Sequence, residues 1–292
     1  MIGVVLMTYG SAKNAEDVPA YMTRVRGGRT PSDELVAEFQ RRYELIGGSP
    51  LIPITQRLAK QIEEVSGYLV EAGMRFSEPS IAQAVDRLKV RGATELVGLI
   101  LAPQYSPIIM NDYREKLAAT GVEFRLVEDW HLTPSFVELL ADGIRKVVTP
   151  QDHVLMTAHS LPKRVVDREP DYIAKLRATA EAVAERAGLS PDRWTFCYQS
   201  AGHTPEEWLK PDMLDVLPEL AKAGHQDVLL APVQFVADHL ETLYDIDIGG
   251  REQADEAGIA HFRRVPAAND SRAFAEVLAE VLRTSLAATV SN

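Results

Sequence analysis

The sequence predicts an α/β protein made of two similar doubly wound domains, each a four-stranded parallel sheet flanked by helices. Three observations lead there. Eight short apolar runs punctuate the chain, and most are continuously apolar rather than alternating, as in parallel strands buried on both faces. Amphipathic stretches fill the gaps, and regular strand–helix alternation implies right-handed crossovers within a parallel sheet. The two halves also resemble each other: residues 92–105 can be laid over 224–235, each running helix end, strand, then Ala-Pro near the strand's carboxyl end.

In order, the strand candidates are 2–7, 68–72, 96–102 and 123–127, then 153–158, 194–198, 227–233 and 260–265. Helical patterns at 80–90, 134–147 and 172–187 separate them, and a last one covers 272–288. The expected division is an N-terminal domain at 1–149 and a C-terminal domain at 150–268, joined near Thr149 to Asp152. Residues 269–292 form a C-terminal helical segment, expected to pack back on the N-terminal domain.

At 292 residues the chain exceeds one ordinary core, and 46% hydrophobic with 25% charged residues is a globular composition. A formal net charge of −11 disfavours nucleic acid as a partner. The one cysteine, Cys197, leaves no intrachain disulfide and no four-cysteine cluster. The amino terminus enters a strand at once, and no apolar run approaches the roughly 18–20 residues of a membrane helix. A cytoplasmic protein without stable membrane insertion is the expectation.

Ligands of such sheets lie at the strands' carboxyl ends. Tyr9 follows the first strand, His159 the fifth, and an acidic segment the seventh, so these groups are expected to converge on one cleft between the domains. In the acidic segment, Asp238, Glu241 and Asp245 are spaced i, i+3 and i+7, which on an α-helix is one face. Three like charges on one face cost stability unless a cation or a proton-handling group sits nearby. Position alone leaves His159 open between a hydrogen-bonded structural residue and a proton acceptor or metal ligand. Pairing with Glu241 would raise its basicity. Tyr9 is either a core tyrosine or a phenol aimed at a ligand. His131, His153, His203 and His239 show no ligand spacing. Arg24, Arg26, Arg29, Arg41 and Arg42 form either a solvated helix pair or an anion site for carboxylates. Neither a phosphate-cradling GxGxxG nor a Gly-x-Ser-x-Gly elbow is present.

Four ordered blocks resemble the ferrochelatase family. They are Met7 to Gly10 with Arg24 to Arg29; Arg42 to Leu51 (RYELIGGSPL); Thr157 to Pro162 (TAHSLP); and Phe235 to Asp245 (FVADHLETLYD). Tyr198-Gln-Ser200 and Trp208-Leu-Lys-Pro-Asp212 add to them, so the resemblance spans essentially the whole chain. It implies insertion of Fe(II) into a porphyrin held in a cleft between two domains and bent so that its pyrrole nitrogens are exposed. By the same resemblance His159 is the proton acceptor or iron ligand, Glu241 pairs with it, and Tyr9 faces the macrocycle. Asp245 is an outer metal ligand. Tyr9 looks like the coproporphyrin-type bacterial enzymes, and Arg26, Arg42, Tyr43, Ser49 and Tyr113 match the positions that anchor the porphyrin. Fe(II) is then a substrate, no cofactor is resident, and no iron–sulfur cluster is expected. Transient contact with other haem-pathway enzymes is implied as well.

The chain departs from the family pattern in two places. The further glutamate after the acidic segment is missing, although Asp245 and Asp247 remain, and Phe76 stands where some relatives carry histidine. Readings left open are a protoporphyrin IX ferrochelatase, a cobalt or nickel chelatase acting on sirohydrochlorin, and a non-enzymatic haem or porphyrin carrier.

Overall fold

The computed structural model describes residues 1–202 and 206–288, so His203 lies outside the described residues. Contacts divide the chain into two compact units. The first comprises Met1–Trp130, Ala237–Leu240 and the segment from Asn269; the second comprises His131–Val236 and Glu241–Ala268.

The first unit opens with β1 (Ile2–Thr8), whose residues from Val4 to Met7 are wholly buried. Helices α1 (Val18–Val25), α2 (Asp33–Leu45) and α3 (Leu51–Ser66) follow, then β2 (Leu69–Met74), α4 (Ile81–Val90), β3 (Glu95–Ile100), α5 (Pro107–Ala118) and β4 (Phe124–Val127). The strands run parallel in the order β2-β1-β3-β4. A capping box between Ser80 and Gln83 starts α4, and left-handed Gly67 stops α3. Gly98, in β3, has no room for a side chain: a Cβ would lie 2.6 Å from Leu117 and 2.9 Å from both Leu126 and Met7. The closeness lets α5 and β4 pack tightly on the sheet.

The second unit begins with α6 (Pro134–Arg145) and continues through β5 (His153–His159), the short α7 (Lys163–Val166), α8 (Pro170–Ala187), β6 (Trp194–Gln199), α9 (Met213–Lys222) and β7 (Asp227–Pro232). A π-helix, Glu241–Gly250, runs into α10 (Arg251–Ala257), and β8 (His261–Arg264) completes the sheet. Its order, β6-β5-β7-β8, repeats that of the first sheet, again all parallel. The two halves thus share one topology, as their sequence similarity predicts. The last helix, α11 (Arg272–Ala288), packs on α3 of the first unit and buries Phe274, Leu278 and Leu282.

The division falls after Trp130 rather than at 149. Helix α6 buries Phe136, Val137, Ala141 and Ile144, and it packs against α8. Arg145 donates to the Arg186 carbonyl at 2.9 Å, and Arg186 pairs with Glu138 at 3.3 Å. An amphipathic helix declares that it has an apolar face but not which sheet covers it. No described helix is long and apolar enough to cross a membrane.

Candidate active site

His159 is the last residue of β5, an inner strand of its sheet, in register with Gln199 of β6. Parallel neighbours on both sides gather the strand ends at one edge, where ligands of such sheets bind. The His159 amide donates to Gln234 Oε1 at 2.7 Å, and the Gln234 amide nitrogen in turn donates to the Tyr172 hydroxyl. Burial pushes the Tyr172 phenol above its ordinary range, so it stays neutral. Thr157 donates to the Gln199 side chain, and the Ser160 amide donates to the Gln199 carbonyl at 2.7 Å. These bonds hold the strand end rigid and fix where the imidazole projects.

The π-helix supplies the partner. Glu241 is its first residue, and its Oε2 lies 3.1 Å from His159 Nδ1, with the two side chains 35% and 27% exposed. The charge of the carboxylate is the larger part of the coupling, and a hydrogen bond between the two side chains adds to it. Burial by itself would lower the proton affinity of His159. The Glu241 carboxylate and, behind it, Asp245 outweigh that and raise it. The result is a more basic imidazole than an isolated one, beside a carboxylate able to stabilise its protonated form. Phe235 gives the ring an apolar neighbour, with centroids 6.2 Å apart.

The acidic segment differs from the sequence expectation in two respects. Asp238 is not on a helical face with Glu241 and Asp245. It precedes the helix, its amide donates to Asn269 Oδ1, and its carboxylate accepts from Asn269 Nδ2, both at 2.8 Å. The i→i+5 winding of the π-helix also replaces the assumed α-helical spacing; such turns are rare and cluster at functional sites. Asp247 is held by Arg264 through two bonds of 2.7 and 2.8 Å. Among the described residues no three His, Cys, Asp or Glu side chains gather closely enough to hold a metal ion. His159 and Glu241 form a close pair, and Asp245 acts on His159 through its charge.

The first unit carries the remaining candidates. Tyr9 follows β1 and is 42% exposed, packed edge-on against Phe76 with centroids 4.8 Å apart. Gly10 makes the turn beside it at φ +89°, where a Cβ would lie 2.7 Å from Ser77 Oγ. Arg26 caps the exposed end of α1. Arg42 is mostly buried, paired with Glu38 and 5.2 Å from the Phe39 ring centre. Tyr43 is buried with its hydroxyl 2.8 Å from that of Ser11. Ser49 and Tyr113 are buried too, and burial raises the Tyr113 phenol above its ordinary range. Of the six expected porphyrin contacts, Tyr9 and Arg26 therefore present exposed side chains.

A sequence model of the family described as Ferrochelatase matches residues 1–286. The chain belongs to the ferrochelatase family. It is 38% identical to a ferrochelatase of Herpetosiphon aurantiacus, over 96% of this chain and 97% of that one. It is 35% identical to a coproporphyrin III ferrochelatase of Geobacillus thermodenitrificans, over 98% of this chain and 96% of the relative. Among solved structures, SirB from Bacillus subtilis with Fe3+ aligns at a TM-score of 0.63 and 11% identity, covering 100% of this chain and 98% of that one. CbiX, described as the terminal enzyme of siroheme biosynthesis in denitrifying bacteria, aligns at 0.56 and 15% identity, covering 97% and 98%. At such identities the two structures establish a chelatase-like fold and nothing more.

Ferrochelatase membership gives the His159–Glu241 contact its context, and the geometry adds residues that sequence reasoning missed. Gln234 fixes the His159 backbone from the loop after β7, a pairing across 75 residues that no local pattern signals. Arg75 lies among Tyr9, Phe76 and Tyr113, and Arg24, already singled out in the sequence, donates to the Phe76 carbonyl at 2.7 Å. The one available signal is the position of Arg75 and Phe76 just beyond a predicted strand, the same kind of place that singles out Tyr9.

Proposed function

We propose that this protein inserts Fe(II) into coproporphyrin III to give coproheme. The observation that carries the proposal is the His159–Glu241 pair at the ligand-binding end of its sheet. Metallation of a porphyrin releases two pyrrole protons as Fe(II) takes their place on the ring nitrogens. His159 accepts the two pyrrole protons one at a time as general base, passing the first to solvent before it takes the second. Glu241 stabilises the resulting imidazolium, and Asp245 extends the negative potential that receives protons and attracts the divalent ion. Iron is a substrate throughout, and no resident cofactor is required.

Tyr9 and Arg26 contact the macrocycle and its carboxylates in this proposal, with Arg42, Tyr43, Ser49 and Tyr113 completing the anchoring set. Coproporphyrin III carries four propionates, twice the number on protoporphyrin IX, so it rewards a polar and cationic surround. The exposed phenol of Tyr9, the arginines of α1 and α2, and relatives named coproporphyrin III ferrochelatase support that choice.

Anaerobic turnover with Fe(II) and each porphyrin in parallel tests the proposal. Higher kcat/KM with coproporphyrin III than with protoporphyrin IX is expected. The reverse order would overturn the substrate assignment. Cobalt insertion into sirohydrochlorin without iron insertion into either porphyrin, or tight porphyrin binding without any metallation, would overturn the activity.

A further inference from the structure

Arg75 is a largely enclosed cation beside Tyr9. Its guanidinium carbon lies 5.4 Å from the centre of the Tyr9 ring, 4.7 Å from Phe76 and 5.3 Å from Tyr113. The side chain is 19% exposed and its Nε pairs with Asp112 of α5. Lys116 lies one turn on, 4.0 Å from the same carboxylate and 5.8 Å from the Phe76 ring centre. Each of the three rings offers the guanidinium a favourable site, and their summed attraction fixes a side chain that would otherwise sample many rotamers.

The backbone binds the same residues together. The Arg75 amide donates to the Thr8 carbonyl at 2.9 Å, and the Phe76 amide donates to the Tyr9 carbonyl at 3.0 Å. Beyond them Ser77 Oγ donates to the Ser11 carbonyl at 2.8 Å and accepts from the Ser11 amide at 3.0 Å. Residues 75–77 therefore run alongside 8–11 past the end of the sheet. Main-chain bonds set the position of the Tyr9 Cα, whereas the direction of its ring is left to side-chain packing. Phe76 at its edge and Arg75, 5.4 Å from its centre, are part of that packing.

We propose that Arg75 is the positioning residue for Tyr9: held by Asp112 and the Phe76 and Tyr113 rings, it fixes the orientation in which Tyr9 meets the porphyrin. The assignment rests on the reading of Tyr9 as a porphyrin contact. Its consequence is that Arg75 contributes to porphyrin binding through Tyr9, so the two residues are energetically coupled, and Asp112 contributes through Arg75. Lysine at position 75 retains the charge but not the planar group that spreads over several rings.

A double-mutant cycle tests the coupling, with coproporphyrin III affinity read by fluorescence in the absence of iron. Arg75→Gln is expected to weaken binding roughly three- to tenfold in the parent protein. The same change should have a clearly smaller effect in a Tyr9→Ala background, the remainder passing through Tyr113. Arg75→Lys should recover only part of the loss, and Asp112→Asn should reproduce a smaller version of it. Equal weakening by Arg75→Gln in both backgrounds, or none in the parent, would overturn the inference. Thermal midpoints separate a general packing role, which would lower stability in both backgrounds without the coupling in affinity. If Arg75→Gln fails to fold, the cycle is run with Asp112→Asn against Tyr9→Ala, and additive effects there overturn the inference equally. Failure of the parent protein to bind coproporphyrin would instead strike the proposed substrate on which the inference rests.

Discussion

Replacing Glu241 by glutamine keeps the shape of the side chain and removes the charge 3.1 Å from His159 Nδ1. At that separation a unit pair is worth about 1 kcal/mol with full water screening and about 5 kcal/mol at an effective dielectric near 20. The two side chains are 27% and 35% exposed, which places the pair toward the screened end of that range. Loss of about 1.4 to 3 kcal/mol of imidazolium stabilisation in the transition state lowers kcat roughly tenfold to a hundredfold. The pH profile must move as well. In the parent, Glu241 and Asp245 outweigh burial and raise the His159 pKa, so activity falls as acid protonates the base at a pH above the ordinary histidine value. Without Glu241, burial gains the upper hand and the acid limb shifts to lower pH. The stability linkage has the matching sign. With the folded-state pKa raised, the pair's contribution is complete below the unfolded-state value and is lost as pH rises through the folded-state one. The assay is anaerobic initial-rate measurement of Fe(II) insertion across pH, paired with porphyrin titrations that verify binding. An unchanged kcat together with an acid limb superimposed on that of the parent would refute the reasoning.

Other perturbations probe the site and its scaffold. His159→Ala should lower kcat for metal insertion by roughly a hundredfold to ten-thousandfold while porphyrin binding persists, measured by turnover and fluorescence titration in parallel. His153 is 4% exposed, and burial first, then the nearby His225 and Arg193, lowers its pKa to about 4. The unfolded chain takes up that proton near pH 6.5 and the folded one does not, so stability should drop by about 3 kcal/mol between neutral pH and about 4. His153 Nε2 lies 2.8 Å from Thr195 Oγ1, a contact a glutamine amide can keep, so urea midpoints at several pH values should show a flatter decline in His153→Gln. The Asp152 carboxylate is wholly buried, paired with Arg263 at 2.6 Å and accepting from the Thr149 amide at 2.6 Å and its hydroxyl at 2.9 Å. Asp152→Ala should cost about 1 to 3 kcal/mol in chemical denaturation, because it leaves the Thr149 donors without their acceptor, whereas the 41% exposed Arg263 can turn to water.

The fold was largely legible in the sequence because its strands are buried on both faces. Burial forces continuous apolar runs such as Val4 to Met7 and Val228 to Ala231, and these stand out from the polar surroundings without any tertiary knowledge. The repeated strand order follows from repeated local patterns for the same reason. Helix α6 was harder: its apolar face was evident, but whether the first or the second sheet covers that face depends on contacts made far along the chain, with α8.

The site divides in the same way. The sequence by itself determined that Tyr9, His159 and Glu241 follow the ends of strands, because a strand's carboxyl end is a local feature. The ordered blocks around them determined the family. Only the tertiary structure decided how the acidic segment is wound and which of its carboxylates is used. Glu241 meets His159, Asp247 is taken by Arg264, and Asp238 turns to Asn269. Only the structure, too, brought Tyr9 and Tyr113 from separate elements to Arg75 and its neighbour Phe76. The physical reason is that a carboxylate or guanidinium is placed by the partner that balances its charge or satisfies its hydrogen bonds. That partner lies far along the chain, 31 residues from Asp238 and 37 from Arg75. Local sequence reports a residue's propensity and burial, whereas charge pairing is settled when distant segments come together.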